Sequence, residues 1–248
     1  MDLAIDIGNT RIKAGLFQAG QLQRVLFPTK EELKQICEDY RVDRAMICNV
    51  GYHEDIAAFL PQSCKCCTLS ANSRMPLTIH YATPHTLGMD RVAAAAGAIK
   101  LLGQGPAMIV DAGTCITIDL VDEYNGYLGG AILPGMQMRL SALQHYTQCL
   151  PLVPLPPQPE GQPAILGTST ESSILCGTAG AAVIEIEEWA RRHAASHHGL
   201  QVLVTGGDSQ WLCSSMARDT AACALPPVHK VENLLLEGLE LILQINCD

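Results

Sequence analysis

The run AIDIGNTRIKAGLF at residues 4–17 returns in altered form as IVDAGTCITIDLVD at residues 109–122. In each, an apolar strand ends in Asp, a small residue and a Gly-containing turn follow, and Thr opens a second strand-like run. Around both copies the order is strand, turn, strand, turn, strand, then helix, with an offset of about a hundred residues, the pattern of a duplicated unit. A chain of 248 residues can hold two such units and bury a core in each. We therefore expect an α/β protein of two domains, residues 1–105 and 106–248.

Between the repeats, Glu31 to Tyr40 has helical spacing, Arg44 to Val50 reads as a strand, and Leu87 to Leu102 is an alanine-rich helix suited to close packing. The stretch PLVPLPPQPEGQP, residues 151–163, is an extended proline-rich loop. A long helix should run from Thr170 to about His193, with Glu171 in its first turn and Arg191 and Arg192 near its last. Gln201 to Val204 is a short strand leading into Thr205-Gly206-Gly207-Asp208, and an amphipathic helix from Val231 closes the chain.

Sixteen basic residues against twenty-five acidic ones give a net charge of −9, and no basic run occurs. A nucleic-acid or anionic-membrane surface is disfavoured on that balance. No apolar run approaches the roughly 18 residues that span a bilayer, and strand-like sequence starts directly after Met1 with no leader, so the cytoplasm is expected. Eleven cysteines, an odd number, mostly lie singly in apolar stretches and read as reduced small hydrophobes. Cys64, Cys66 and Cys67 cluster, but no second ligand pair stands at a zinc-site spacing from them.

An acidic protein that binds phosphate must do so with backbone amides, a metal ion and a few placed cations. The turn Asp6-Ile7-Gly8-Asn9-Thr10 has that equipment: glycine for close approach, successive amides and hydroxyl or amide side chains for phosphate, and Asp6 for a hydrated Mg²⁺. Arg11 and Lys13 add charge on the next strand. Asp111-Ala112-Gly113-Thr114 repeats the set, and the Gly206-Gly207 pair would let a purine lie against backbone. Gly-Asn turns also join hairpins that bind nothing; two turns, each preceded by Asp, point instead to one polyphosphate held by both.

In this order the motifs resemble the superfamily of acetate and sugar kinases, chaperone ATPases and actin, and more specifically type III pantothenate kinases. The specific elements are Tyr81-x-x-Pro84-x-x-Leu87-Gly88-x-Asp90-Arg91 and Gly129-Gly-x-Ile132-x-Pro134-Gly135, with Gly167-x-x-Thr170 and Thr205-Gly-Gly207 beside the two acidic turns. The resemblance implies two ribonuclease H-like domains, each with a mixed β-sheet flanked by helices, and an ATP cleft between them. It implies ATP-dependent phosphorylation of pantothenate, the first step of coenzyme A biosynthesis. Asp90 is then the general base. Asp6, Ile7, Gly8, Asn9, Thr10, Arg11, Ile12, Lys13 and Thr114 contact ATP, and Tyr81, Gly88, Met89, Asp90, Arg91 and Thr170 contact pantothenate. Asp111 binds a monovalent cation, K⁺ or NH₄⁺, Mg²⁺ accompanies ATP, and the protein is a homodimer. Ser169 stands where many relatives carry Asn.

Three other readings compete. A nuclease on the same fold would need a basic track, and a repressor-related sugar kinase would show Cys-x-Cys-Gly; neither is present. A non-catalytic ATP-binding regulatory protein, a transcription accessory factor, is the remaining alternative, and Asp90, Arg91 and Asp111 together weigh against it.

Overall fold

A computed structural model describes residues 1–8, 11–50, 55–159, 164–216 and 225–247. Two units are distinguishable: Met1–Gln104, Asn125–Leu128 and Asn233–Asp248 form the first, Gly105–Tyr124 and Gly129–Glu232 the second.

The first unit is built on five strands, β1 (Asp2–Ile7), β2 (Ile12–Gln18), β3 (Gln21–Leu26), β4 (Arg44–Asn49) and β5 (Lys65–Thr68), in the order β3-β2-β1-β4-β5. Hairpin turns make β1–β2 and β2–β3 antiparallel, whereas β4 and β5 join in parallel. A parallel neighbour needs a crossover, and α1 (Leu33–Asp39) supplies the one before β4. Period-2 alternation sends Leu3, Ile5 and Ile7 into a core with Leu33 and Cys37 of that helix. Two short strand residues, Thr78–Ile79 (β6), pair with Gly126 and Tyr127 at the start of β9 (Gly126–Pro134).

Helix α2 (Met89–Leu102) and the closing helix α7 (Leu234–Cys247) complete this unit. Chain order would assign α7 to the second half, yet it packs on α2, β1 and β4. Small residues explain the seam: Ala93 to Ala96 and Ala98 are buried, and a Cβ added at Gly238 would collide with the Ala93 carbonyl. Lys100, in the last turn of α2, reaches across to Glu240 at 2.8 Å and donates to the Gly20 carbonyl.

The second unit repeats the plan. Its sheet runs β9-β8-β7-β10-β11, with β7 (Ala107–Ala112), β8 (Cys115–Val121), β10 (Gln201–Thr205) and β11 (Val228–Lys230). The strand β7 has an antiparallel partner β8 and a parallel partner β10, as β1 has β2 and β4. The expectation of two α/β units with mixed sheets flanked by helices is borne out. Met108, Val110 and Ala112 face Ala182, Val183, Ile186 and Ala190 of α5 (Ala181–Ser196), which recur at helical spacing.

Around that core lie α3 (Met136–His145), α4 (Thr170–Leu175) and α6 (Ser209–Ser215). The single helix expected from Thr170 is three segments, because a π turn at Cys176–Gly180 separates α4 from α5. Small side chains there let the backbone widen without loss of packing. Among the described residues no helix is long and apolar enough to cross a membrane.

Candidate functional site

In the first unit, Asp6 is the penultimate residue of β1 and lies opposite Lys13 on β2 and beside Cys48 on β4. Gly8 closes the turn by donating its amide to the Arg11 carbonyl at 3.3 Å. Arg11 is exposed and its guanidinium lies 4.6 Å above the centroid of Phe27, an exposed ring, which holds it by a cation–π contact. Ile7 and Ile12 are buried and anchor the hairpin in the core. Asn9 and Thr10 lie outside the described residues.

Gly88 and Asp90 form a local device at the start of α2. Gly88 is the N-cap, and the Asp90 carboxylate curls back to accept a hydrogen bond from the Arg91 amide at 2.9 Å. A Cβ at Gly88 would strike Asp90 Oδ1, so glycine is what leaves room for that rotamer. The carboxylate is thereby fixed against the helix N-terminus, where the backbone dipoles favour negative charge.

Burial, then the charges of Asp6 and Asp90, push the Cys48 thiol well above its ordinary range. Of the two, Asp6 is the register partner of Cys48 across β1 and β4, and Asp90 stands at the start of α2. Sequence reading missed Cys48. The available signal was register: Cys48 is penultimate in a strand parallel to β1, as Asp6 is in β1.

Arg91 is 6% exposed, a planar cation inside the protein. Tyr81 is half-buried, and its ring meets the buried Tyr127 edge-on with centroids 6.1 Å apart. Met89 is half-buried beside them in sequence at the first position of α2.

In the second unit, Asp111 is penultimate in β7 and lies between Thr117 of β8 and Thr205 of β10. Two glycines wall this turn. Gly206, at φ 91°, comes so near that a Cβ would strike the Ala112 carbonyl and Asp111 Oδ1. Gly135 packs on the same turn, donating to the Thr114 carbonyl at 3.2 Å, and a Cβ there would strike the Gly113 and Thr114 carbonyls. The Asp208 amide donates to the Ala112 carbonyl at 2.9 Å, which draws the Thr-Gly-Gly turn onto the acidic one, and burial raises the Asp208 carboxyl. Asp111, Gly113, Thr114, Gly135 and Gly206 are thus one packed cluster. Thr114 is exposed at its rim.

Thr170 stands exposed as the first residue of α4. Ser169 before it is the N-cap, accepting from the Ser172 amide while Ser172 reciprocates. Serine and asparagine cap helices about equally well, so Ser169 performs the task that Asn would perform in the same place.

Comparison with known proteins decides between the remaining classes. The family model for type III pantothenate kinase matches residues 2–192. A type III pantothenate kinase of Christiangramia forsetii is 36% identical over 252 aligned positions, covering 99% of each chain. The chain belongs to the type III pantothenate kinase family. Among solved structures, a Baf family protein from Campylobacter jejuni superposes with a TM-score of 0.62 at 21% identity, covering 98% of this chain and 97% of that one. The activator of a 2-hydroxyisocaproyl-CoA dehydratase from Clostridium difficile, solved with bound ADPNP, gives 0.52 at 11% identity over 98% and 93%. These last two show the fold alone. Within the type III family frame, the nuclease and repressor-related sugar kinase readings fall away.

Proposed function

We propose that this protein transfers the γ-phosphoryl group of ATP to the primary hydroxyl of pantothenate, giving 4′-phosphopantothenate and ADP at the entry to coenzyme A biosynthesis. The supporting observation is Asp90, whose carboxylate is fixed at the start of α2 by the Arg91 amide in the space that Gly88 leaves. In this reading Asp90 orients the attacking hydroxyl and takes its proton as the oxygen bonds to phosphorus and the bond to ADP breaks. Phosphoryl transfer has a loose transition state, so placement and charge neutralisation supply most of the rate.

The turn Asp6-Ile7-Gly8-Asn9-Thr10, with Arg11, Ile12 and Lys13 on the strand after it, contacts ATP, as does Thr114. Tyr81, Gly88, Met89, Arg91 and Thr170 hold pantothenate, the Arg91 guanidinium matching its carboxylate. Asp6, a single carboxylate next to the end of β1, suits a hydrated Mg²⁺, which keeps most of its waters and when bound would neutralise phosphate oxygens. At Asp111 the carboxylate and the Ala112 carbonyl both lie against Gly206, and oxygen atoms of that kind suit K⁺ or NH₄⁺. A cytoplasmic homodimer completes the proposal, on the family resemblance.

The test is ADP release measured with pantothenate, with other small hydroxy acids and with no acceptor, each with and without K⁺. Turnover that requires pantothenate and rises with K⁺ is expected. ATP binding with no acceptor-dependent turnover would overturn the assignment.

A further inference from the structure

The cysteine cluster plays no part in the reaction above, and the structure resolves it into two separate thiol pairs. Cys37 and Cys64 hydrogen-bond to each other inside the first hydrophobic core, 3% and 6% exposed. Cys67 lies elsewhere. Side chains alternate along β5, so Cys66 packs towards that core while Cys67 points to the opposite face. There its Sγ is 3.1 Å from Sγ of Cys247, in the last turn of α7.

Three features make this pair chemically distinct. The two residues are 180 positions apart, so nothing in local sequence forces them together. The end of α7 is held in place without them: the Arg74 amide donates to Asn246 Oδ1 and Asn246 Nδ2 donates to the Arg74 carbonyl, both at 2.9 Å. Two cations, Arg44 and Lys65, donate to the Cys247 carbonyl at 3.5 Å each. Their charge pulls the Cys247 thiol down against the burial that raises it.

We propose that Cys67 and Cys247 form a reversible intrachain disulfide when the protein meets a hydroperoxide, cross-linking the edge strand β5 to the helix α7. The more exposed Cys67 thiolate attacks one peroxide oxygen; the O–O bond breaks, leaving Cys67 as a sulfenic acid and releasing hydroxide. The Cys247 sulfur then attacks that sulfur, an S–S bond forms and the sulfenic oxygen departs as water. In sum two thiols lose two electrons and hydrogen peroxide becomes two waters. A dithiol reductant reverses the cross-link by exchange. Bonding requires the sulfurs to close from 3.1 Å to the disulfide length of about 2.05 Å, within side-chain rotation. Burial and the neighbouring Cys67 raise the Cys247 thiol to about 11 against the pull of Lys65 and Arg44, so closure should quicken as pH rises. The Cys66 thiol, raised by burial to about 12, stays protonated and unreactive.

The experiment treats the full chain with hydrogen peroxide, blocks remaining thiols with N-ethylmaleimide without reduction, and maps peptides by mass spectrometry. The expected result is a linked Cys67–Cys247 peptide, two thiols fewer per chain, and full recovery with dithiothreitol. Closing so long a loop should raise the midpoint of thermal unfolding by about 5–10 °C. Cys247→Ser should unfold at the reduced wild-type temperature and show no peroxide-dependent rise, and Cys67→Ser should behave the same way. Recovery of Cys67 and Cys247 as alkylated or singly oxidised residues after peroxide would overturn the proposal. So would a linkage found only between two chains, or only at Cys37–Cys64.

Discussion

The two acidic turns share a backbone plan and differ in what surrounds them. Opposite Asp6 stands Lys13; at the equivalent register position opposite Asp111 stands Thr117. The buried thiol of Cys48 stands beside Asp6 at the first, whereas the backbones of Gly135 and Gly206 pack closely on the second. One turn is furnished with side-chain charge, the other with main-chain oxygen. A duplicated hairpin can therefore diverge in chemistry through single positions beside it while its strand order stays fixed.

The strongest way to break this contrast is Asp90→Asn, which removes the carboxylate and keeps its shape. We expect kcat to fall by about 10²–10⁴-fold, with ATP affinity, read by calorimetry, changing by no more than about 3-fold. An unchanged kcat would remove Asp90 from the proposed chemistry. Next in size is Gly135→Ala, whose added carbon meets backbone carbonyls that have no room to yield. It should cost about 2–4 kcal/mol in denaturant unfolding. Gly113→Ala, in the same turn but with nothing nearer than 3.8 Å, should cost less than about 1 kcal/mol. Equal losses would mean the second turn is not walled by close approach.

Exchanging the residues at the matched position sharpens the comparison further. Lys13→Thr should weaken ATP binding by about 10-fold with the fold intact, as loss of one charge from the proposed phosphate turn implies. The smallest effect is at Asp208, whose carboxyl is raised by burial. A raised folded value means the neutral form is favoured in the native state, so its stabilising contribution is complete at low pH and lost as pH rises past the folded value. Asp208→Asn should therefore raise the melting temperature slightly at pH 7, and the gain should vanish near pH 3. A gain of equal size at both pH values would exclude ionisation as its source.

The sheet cores were readable in the sequence because buried strands carry long apolar runs, as LAIDI and AMIVDA do. The short strands β5, β6 and β11 were not, since four residues or fewer carry no usable periodicity. Amphipathicity marked α7 as a packed helix, but a hydrophobic face does not name its partner, and only topology puts it on the first sheet. Of the site, Asp6, Asp90 and Asp111 were legible from motif and turn chemistry. Cys48 and the steric role of Gly88 were not, because each depends on a neighbour brought close by pairing or by a rotamer.

The placement of α7 has a consequence for biosynthesis. Residues 234–247 leave the ribosome after every residue of the second unit has been made, so the unit that begins first is finished last. Until they arrive, the alanine face of α2 has no cover, and a nascent chain stalled before Leu234 should present that bare surface to chaperones.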